Sequence, residues 1–421
     1  MSRMLAAVLH GPRDLRVEER PRPELEPGTV LVRVRRVGLC GTDVHYFEEG
    51  RVGAFVATAP FVLGHELCGD VTGVAEGVEQ PSPGDRVVVN PARQCGQCEF
   101  CRAGRGNLCR NIRMLGSAST RPPTDGGLAE YLRVGAEQCY VMPPAMDDGV
   151  GALMEPLAVA LQALHRAGSV AGRRVLVCGG GPIGLLIALA ARAFGATTVA
   201  LSDPDPERRK FALALGADAV FDPMSAGAAN HEAGPGGTGI AGMDDGFEAL
   251  FEASGSAAAT AQAFELARRG ATIVQVGSPL EPRTPLPLGL LLVKELQFVG
   301  SFRYGNVWEQ AIRLGASGRL NLKPLITHVL PLTQAREALE LASRRGGALK
   351  VQIDLGSGDH GGLAARSESL PAFDERYIPP GLLRSGARIA PIFGPFGSSP
   401  AGRIARLGAA AHFHHGLPDR P

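Results

Sequence analysis

Apolar residues recur along this chain in two rhythms. From Met4 to about Val141 they come in short β-type segments separated by Gly and Pro: Ala6-Ala-Val-Leu9, Thr29-Val-Leu-Val-Arg-Val34, Gly69-Asp-Val-Thr-Gly-Val74 and Asp85-Arg-Val-Val-Val89. This spacing predicts a compact β-rich domain. Residues 151 to 168, rich in Ala and Leu, predict a linking helix. From Arg174 onward strand-like runs alternate with helical ones, and Val199 to Ser202, Ala219 to Phe221, Gly246 to Phe251, Thr272 to Val276 and Gln297 to Gly300 supply the later strands. Such alternation predicts a doubly wound parallel sheet. After a helix near Val307 to Leu314 the pattern returns to β-type segments ending at Lys350-Val-Gln-Ile-Asp-Leu355. The first domain is therefore expected to be discontinuous, formed by 1–155 and 303–355, with a nucleotide-binding domain, 156–302, inserted in it.

Two stretches fit neither rhythm. Ser225 to Asp245 is mostly Gly, Ala and polar residues and reads as a mobile surface loop. The tail, 356–421, is rich in Gly, Pro, Arg and Ser and carries a His412-Phe-His-His415 cluster; its composition predicts disorder.

Charge narrows the class of partner. The chain has 43 Lys and Arg against 42 Asp and Glu, a formal net charge of +1 over 421 residues. Cations are interspersed with anions, so neither nucleic acid nor a polybasic membrane anchor is expected as a partner. Apolar runs are broken by Gly, Pro or charge well before spanning length, and Met1 to Arg20 shows no charged-then-apolar leader pattern, so a soluble cytoplasmic protein is expected. Its eight cysteines are no disulfide framework, because four fall in one short cluster.

The strand-like run Arg174 to Cys178 leads into Gly179, Gly180 and Gly181, followed by Pro182, Ile183 and Gly184 and an apolar helix. Gly179, Gly181 and Gly184 fit the dinucleotide-binding pattern, in which the glycines permit the turn, the approach of a pyrophosphate and close helix packing. The phosphates then face the free amides of the helix N-terminus. Asp203 ends the next strand and is placed to accept hydrogen bonds from a ribose 2′-hydroxyl while repelling a 2′-phosphate, so NAD is expected. Arg208, on the following helix, keeps some tolerance for NADP open. Val276 and Gly277, closing a later strand, are assigned to the same cofactor site.

Cys95, Cys98, Cys101 and Cys109 put four thiolates in one loop, the donor set of a closed, structural zinc site. A second, looser set comprises Cys40 and the pair His65-Glu66. An open zinc site needs about three protein ligands, and Cys40, His65 and an acid would serve. Glu66 and Glu155 are the two candidate acids. Neighbours on a strand point to opposite faces, so joint ligation by His65 and Glu66 requires a local kink.

The segments Cys40-Gly-Thr-Asp-Val-His45, Gly64-His-Glu66, the cysteine quartet, Glu155-Pro156-Leu157 and the glycine turn together resemble the zinc-containing medium-chain dehydrogenases, in their polyol branch. Val89-Asn-Pro91, Met114-Leu-Gly-Ser-Ala118, Asp125-Gly-Gly127 and Gly300-Ser-Phe-Arg-Tyr304 further resemble L-idonate 5-dehydrogenases, which interconvert L-idonate and 5-keto-D-gluconate. The resemblance spans Met4 to Leu355. It implies an α/β chain with a GroES-like β-rich catalytic domain and an inserted Rossmann domain, two zinc ions and NAD, a small sugar acid or polyol as substrate, and a homo-oligomer. It also implies a catalytic zinc on Cys40 and His65, with Glu66 or Glu155 as third ligand and the other nearby. Thr42 and His45 match proton-relay positions, and Tyr46, Arg303 and Tyr304 match substrate-pocket positions.

Overall fold

The computed structural model describes residues 2–224, 245–279, 283–344, 346 and 348–356. Nearly all of the Ser225 to Asp245 stretch, and the tail beyond Gly356 with its histidine cluster, lie outside the described residues.

The chain opens with β1 (Arg3–Gly11) and β2 (Asp14–Pro21), paired antiparallel, and β1 continues onto the short strand Phe61–Val62. A larger sheet is built from β3 (Thr29–Gly38), β4 (Glu66–Val74), β5 (Arg86–Val89), β6 (Tyr131–Gly135) and β7 (Cys139–Val141). These strands are Val-rich, and Val30, Val32, Val34, Val71, Val87 and Val89 are buried in one core cluster. Branched side chains of this kind suit a pleated surface covered by other elements.

The sequence pattern missed a helix here. α1 (Gly41–Glu49) follows β3 directly. Its start is marked by Asp43, whose carboxylate accepts from the Cys40 N–H at 2.9 Å. Gly50 ends it in the left-handed region, at φ 69°. Both are standard helix-boundary signals.

The linking helix is α2 (Met154–Ala167), preceded by one turn at Asp148–Ala152. It is apolar on most of its circumference and sinks into the largest core cluster, with Leu157, Ala158 and Leu161 fully buried. Beyond it come β8 (Arg174–Cys178), α3 (Pro182–Ala193), β9 (Thr198–Ser202), α4 (Pro206–Ala214), β10 (Ala219–Phe221), β11 (Phe247–Glu252), α5 (Ala257–Leu266), β12 (Ala267–Gln275) and β13 (Gln297–Gly300). All six strands are parallel, in the order β10-β9-β8-β11-β12-β13. The order reverses between β8 and β11, and open α/β sheets bind ligands at such a switch point.

After α6 (Trp308–Ala316) come β14 (Ile326–Pro331), α7 (Ala335–Ser343) and β15 (Lys350–Asp354). β15 pairs antiparallel with β3, Gln352 opposite Gly38, and β14 lies parallel beside it. The return to β-type sequence thus rejoins the sheet begun by β3. α7 interrupts that return, and the pattern did not anticipate it.

Candidate active site and metal centres

Cys95, Cys98, Cys101 and Cys109 lie in the loop between β5 and β6, with all four ligand atoms within 4.8 Å of one another. Gly96 and Gly104, both in the left-handed region at φ 73° and 69°, let the loop double back. The short helix Glu99–Arg102 buries none of its residues, so no apolar core holds this lobe. Amide N–H groups of Cys101 and Arg110 hold the Cys98 thiol down to about 6, whereas burial and the neighbouring sulfurs push Cys101 up. Cys95 N–H also donates to Cys109 Sγ at 3.3 Å.

The second cluster is assembled from distant segments. Cys40 caps α1 and His65 precedes β4, while Glu66 begins that strand. The kink that joint use of His65 and Glu66 requires is present, with Gly64 at φ 92°. Donor atoms of Cys40, His65 and Glu66 fall within 4.8 Å of one another. A Cβ at Gly38 would collide with Glu66 Oε2, so glycine there makes room for the inward carboxylate. Asp43, fully buried, accepts from the N–H groups of Cys40 and Gly64, each at 2.9 Å, and its Oδ1 lies 3.7 Å from His65 Nδ1. Burial alone would depress the His65 pKa, but the facing Asp43 carboxylate and the Cys40 sulfur raise it well above the usual range.

Glu66 has a partner that the sequence did not reveal. Lys350 Nζ, on β15, lies 2.8 Å from each Glu66 carboxylate oxygen and donates to Leu39 O at 3.0 Å. Glu155, in the first turn of α2, is buried nearby but does not belong to the close Cys40, His65 and Glu66 group. Burial pushes its carboxyl up to about 7, with His65 opposing and Glu66 reinforcing that shift.

Thr42 and His45 stand three residues apart on α1, hence on one face of it. His45 is half-exposed, its Nδ1 3.5 Å from Glu49 Oε1. Tyr46 faces the core, fully buried and edge-on to Phe61, and its hydroxyl accepts from Ala118 N–H at 3.0 Å. Tyr304, also buried, points its hydroxyl at Met114 Sδ, 3.9 Å away. Arg303 beside it adopts a left-handed backbone, φ 53°, and its buried Nη1 has no hydrogen-bond partner among the described residues. Burial lowers its pKa.

The glycine turn has the shape its sequence foretold. Gly179 is at φ 108° and donates to Ser202 O at 2.7 Å, and a Cβ at Gly184 would collide with Gly179 O. Gly181 caps α3 without any side-chain acceptor, with Pro182 first in the helix and Ile183 half-buried after it. Asp203 takes Gly180 N–H at 2.7 Å and Asp205 N–H at 2.8 Å, so its carboxylate also ties the turn to the start of α4. Arg208 Nη1 lies 3.9 Å from Asp203 Oδ2. Val276 and Gly277 each donate a backbone N–H to Glu252 O at 2.8 Å. The Glu252 side chain, fully buried at the end of β11, accepts from Ser254 N, Gly255 N and Gln275 Nε2.

A model of the alcohol dehydrogenase GroES-like domain matches residues 26–144, and one of the zinc-binding dehydrogenases matches 182–317. Sorbitol dehydrogenase of Macaca fascicularis is 41% identical over 354 residues, covering 83% of this chain and 95% of that protein. The chain belongs to the zinc-dependent alcohol and polyol dehydrogenases. Among solved structures, L-idonate 5-dehydrogenase of Escherichia coli K-12 matches with a TM-score of 0.77 at 33% identity, covering 84% of this chain and 98% of that one. A zinc-binding dehydrogenase of Sinorhizobium meliloti 1021 bound to NADP matches with a TM-score of 0.77 at 35% identity, covering 84% of this chain and all 100% of that one.

The dehydrogenase uses zinc and a nicotinamide dinucleotide, and its residues fit both. Four converging sulfurs in a lobe without a core, and a buried Cys, His and Glu group, are two donor sets of the type zinc takes. Uncapped amides at Gly181, where a Cβ would meet only the far end of the Arg208 side chain, 3.9 Å away, suit a pyrophosphate.

Of the functional residues that sequence reasoning missed, Asp43 had a readable signal: it stands three residues after Cys40, where a helix start places a capping acid. Lys350 had none, since its partner Glu66 is remote in the chain.

Proposed function

We propose that this dehydrogenase oxidises a secondary alcohol of a sugar acid, reversibly, with L-idonate and 5-keto-D-gluconate as the substrate pair. The observation that carries this reading is Arg303, a half-buried side chain whose buried Nη1 has no hydrogen-bond partner among the described residues and whose backbone conformation is strained. Such a group is poised for a carboxylate, which guanidinium binds in a two-pronged fashion. The Escherichia coli L-idonate 5-dehydrogenase structure gives further support.

When bound, zinc lowers the pKa of the substrate hydroxyl and the nicotinamide takes up the hydride. Cys40 and His65 would hold that zinc, with Glu66 as the third donor and Glu155 beside it. Asp43, its Oδ1 3.7 Å from His65 Nδ1, would favour a proton on that nitrogen electrostatically and leave the other ring nitrogen for the metal. Thr42 would relay the substrate proton, its hydroxyl releasing its own proton as it takes one up, toward His45, which is half-exposed on the same helix face and open to solvent. Tyr304 and Arg303 orient the sugar, while Tyr46, buried behind them, braces the wall of the pocket. The quartet would hold the second, structural zinc.

A second reading, oxidation of sorbitol or xylitol, is favoured by the 41% identity to a sorbitol dehydrogenase. Steady-state kcat/KM for L-idonate, D-gluconate, sorbitol and xylitol separates the two. L-Idonate should lead by at least about tenfold, and Arg303→Gln should abolish that lead. A sorbitol preference unchanged by Arg303→Gln would replace the sugar-acid reading with the polyol one.

A homo-oligomer is part of the same proposal. Leu288, Leu292 and Val293 are exposed on the short helix that precedes the edge strand β13, and a second copy would cover them. Sedimentation velocity tests this. No described helix is long and apolar enough to cross a membrane, and eight free cysteines suit the cytoplasm, our proposed location.

A further inference from the structure

The segment between β13 and α6, residues 301–307, carries both Arg303 and Tyr304, and its main chain is gripped from two sides. Asn107 Nδ2 donates to Phe302 O at 3.0 Å. From α2, Arg166 Nε donates to Gly300 O at 2.9 Å, and Gln162 Oε1 accepts from Gly305 N–H at 3.0 Å. The three grips surround a cleft of about 320 Å³ between the four-cysteine lobe, α2 and this segment. Strained backbone such as that of Arg303 persists only where its surroundings over-determine it, and here one grip lies just before Arg303 and another just after. Asn107 belongs to the lobe, between Cys101 and Cys109, and the lobe has no buried apolar residue in its helix to fix its shape. Asn107 sits on the turn Gly106–Leu108, which leads directly into Cys109, so the sulfur cluster anchors the turn that carries the Asn107 amide.

We propose that the four-cysteine lobe positions the substrate-recognition segment: Asn107, together with Gln162 and Arg166, holds the main chain on both sides of Arg303 and so aims its guanidinium at the substrate. This rests on the reading of Arg303 as a substrate group. Asn107 is a positioning residue and touches no substrate. The lobe thereby acts on specificity at a distance as well as on stability.

The test is a double-mutant cycle. Asn107→Asp keeps the size of the side chain and removes the donor; it is compared with Arg303→Gln and with the double variant. The substrate is whichever of L-idonate and sorbitol the wild type turns over with the higher kcat/KM. Loss of one ordinary hydrogen bond predicts a rise of about fivefold in the sugar KM, with kcat, the KM for NAD and the zinc content unchanged. No further rise is expected when Asn107→Asp is added to Arg303→Gln. Gln162→Met should repeat the pattern, so a failure of Asn107→Asp to fold still leaves a measurement. If Arg303→Gln raises KM but Asn107→Asp leaves it unchanged, the lobe's positioning role is overturned while the Arg303 reading survives, whatever Gln162→Met does. An equal rise in both backgrounds also overturns it. If Arg303→Gln itself changes nothing, the underlying reading falls and this inference with it.

Discussion

The four-cysteine lobe and the pocket around Cys40 both gather metal-binding donors, yet they are made in opposite ways. The lobe takes its four sulfurs from the single segment Cys95–Cys109 and buries no helix residue beneath them. The pocket draws Cys40, Asp43, His65, Glu66, Glu155 and Lys350 from separated parts of the chain into a site that is buried apart from half-buried Cys40. In the lobe the donors themselves replace a core. In the pocket a core already exists, and charges of both signs are lodged in it, each dependent on the others. Metal should therefore contribute folding free energy in the lobe and chemistry in the pocket.

The largest effects follow from that contrast. Cys40→Ser should reduce kcat by roughly 10³-fold or more, the loss of several kcal/mol of Lewis-acid stabilisation, while the melting temperature stays within a few degrees. Cys98→Ser should do the reverse in its first effect, unfolding the lobe and lowering the melting temperature before any change in chemistry. Zinc analysis alongside should return two ions per chain for the wild type and one for each variant. Full activity in Cys40→Ser would remove the distinction between the two clusters.

Next in size is the buried ion pair. Lys350→Met leaves the Glu66 carboxylate buried without its partner, and breaking a buried pair in this way costs about 3–5 kcal/mol. Urea unfolding of the chelator-treated protein at pH 7, in which no zinc faces Glu66, measures it. The double replacement Glu66→Gln with Lys350→Met should recover much of the loss, because no lone charge then remains inside. No comparable loss is expected from single charge replacements in the lobe, where the Arg110 and Glu99 pair is exposed.

The same contrast explains what could be read from sequence. The quartet was legible because its geometry is local: four cysteines within one loop have few ways to avoid one another. The glycine turn was legible for a related reason, since Gly179, Gly184 and Asp203 answer to steric and hydrogen-bonding demands of one βαβ unit. The pocket was legible only in part. Cys40, His65 and the two acids were recognisable as donors, but which acid approaches the others depends on how β4 begins and on the space left at Gly38. Lys350 was invisible, because folding brings its partner Glu66 in from another strand, and Glu252 was not legible because only folding adds Gln275 of β12 to its local donors, Ser254 N and Gly255 N. α1 and α7 were missed because each is a short helix lodged in β-patterned sequence, and tertiary packing outweighed the local period.

The titration of Glu155 sharpens the comparison with a smaller effect. Burial lifts its carboxyl from an ordinary 4.5 to about 7. Between those values the folded, metal-free protein keeps a proton that the unfolded chain has released, so the folded state binds more protons and loses stability as pH rises through this window. Denaturant midpoints of the chelator-treated protein should fall from pH 5 to pH 7, and Glu155→Gln should flatten that fall. An unchanged slope in Glu155→Gln would mean that another buried group with a raised pKa, Asp43 or His65, controls it.

The smallest and most divided effect concerns the cofactor. Asp203 presents a carboxylate at the end of β9, but it also accepts the Gly180 and Asp205 amides, so a replacement there disturbs charge and turn together. A 2′-phosphate brings roughly two negative charges, which Asp203 repels and Arg208, whose Nη1 is 3.9 Å from Asp203 Oδ2, attracts. The wild type should therefore prefer NAD, and Asp203→Asn should narrow the ratio of kcat/KM for NAD over NADP by about tenfold, equivalent to about 1.4 kcal/mol. Asparagine keeps one acceptor for the turn, so absolute NAD activity should fall little. Asp203→Ala should narrow the ratio by a similar factor but also raise the KM for NAD, having released the turn as well. Arg208→Ala should widen the ratio. If Asp203→Asn leaves the ratio unchanged while Asp203→Ala alters it, the carboxylate acts through the turn and its charge does not select the cofactor. A wild type that prefers NADP would instead make Arg208 the dominant charge at the end of β9.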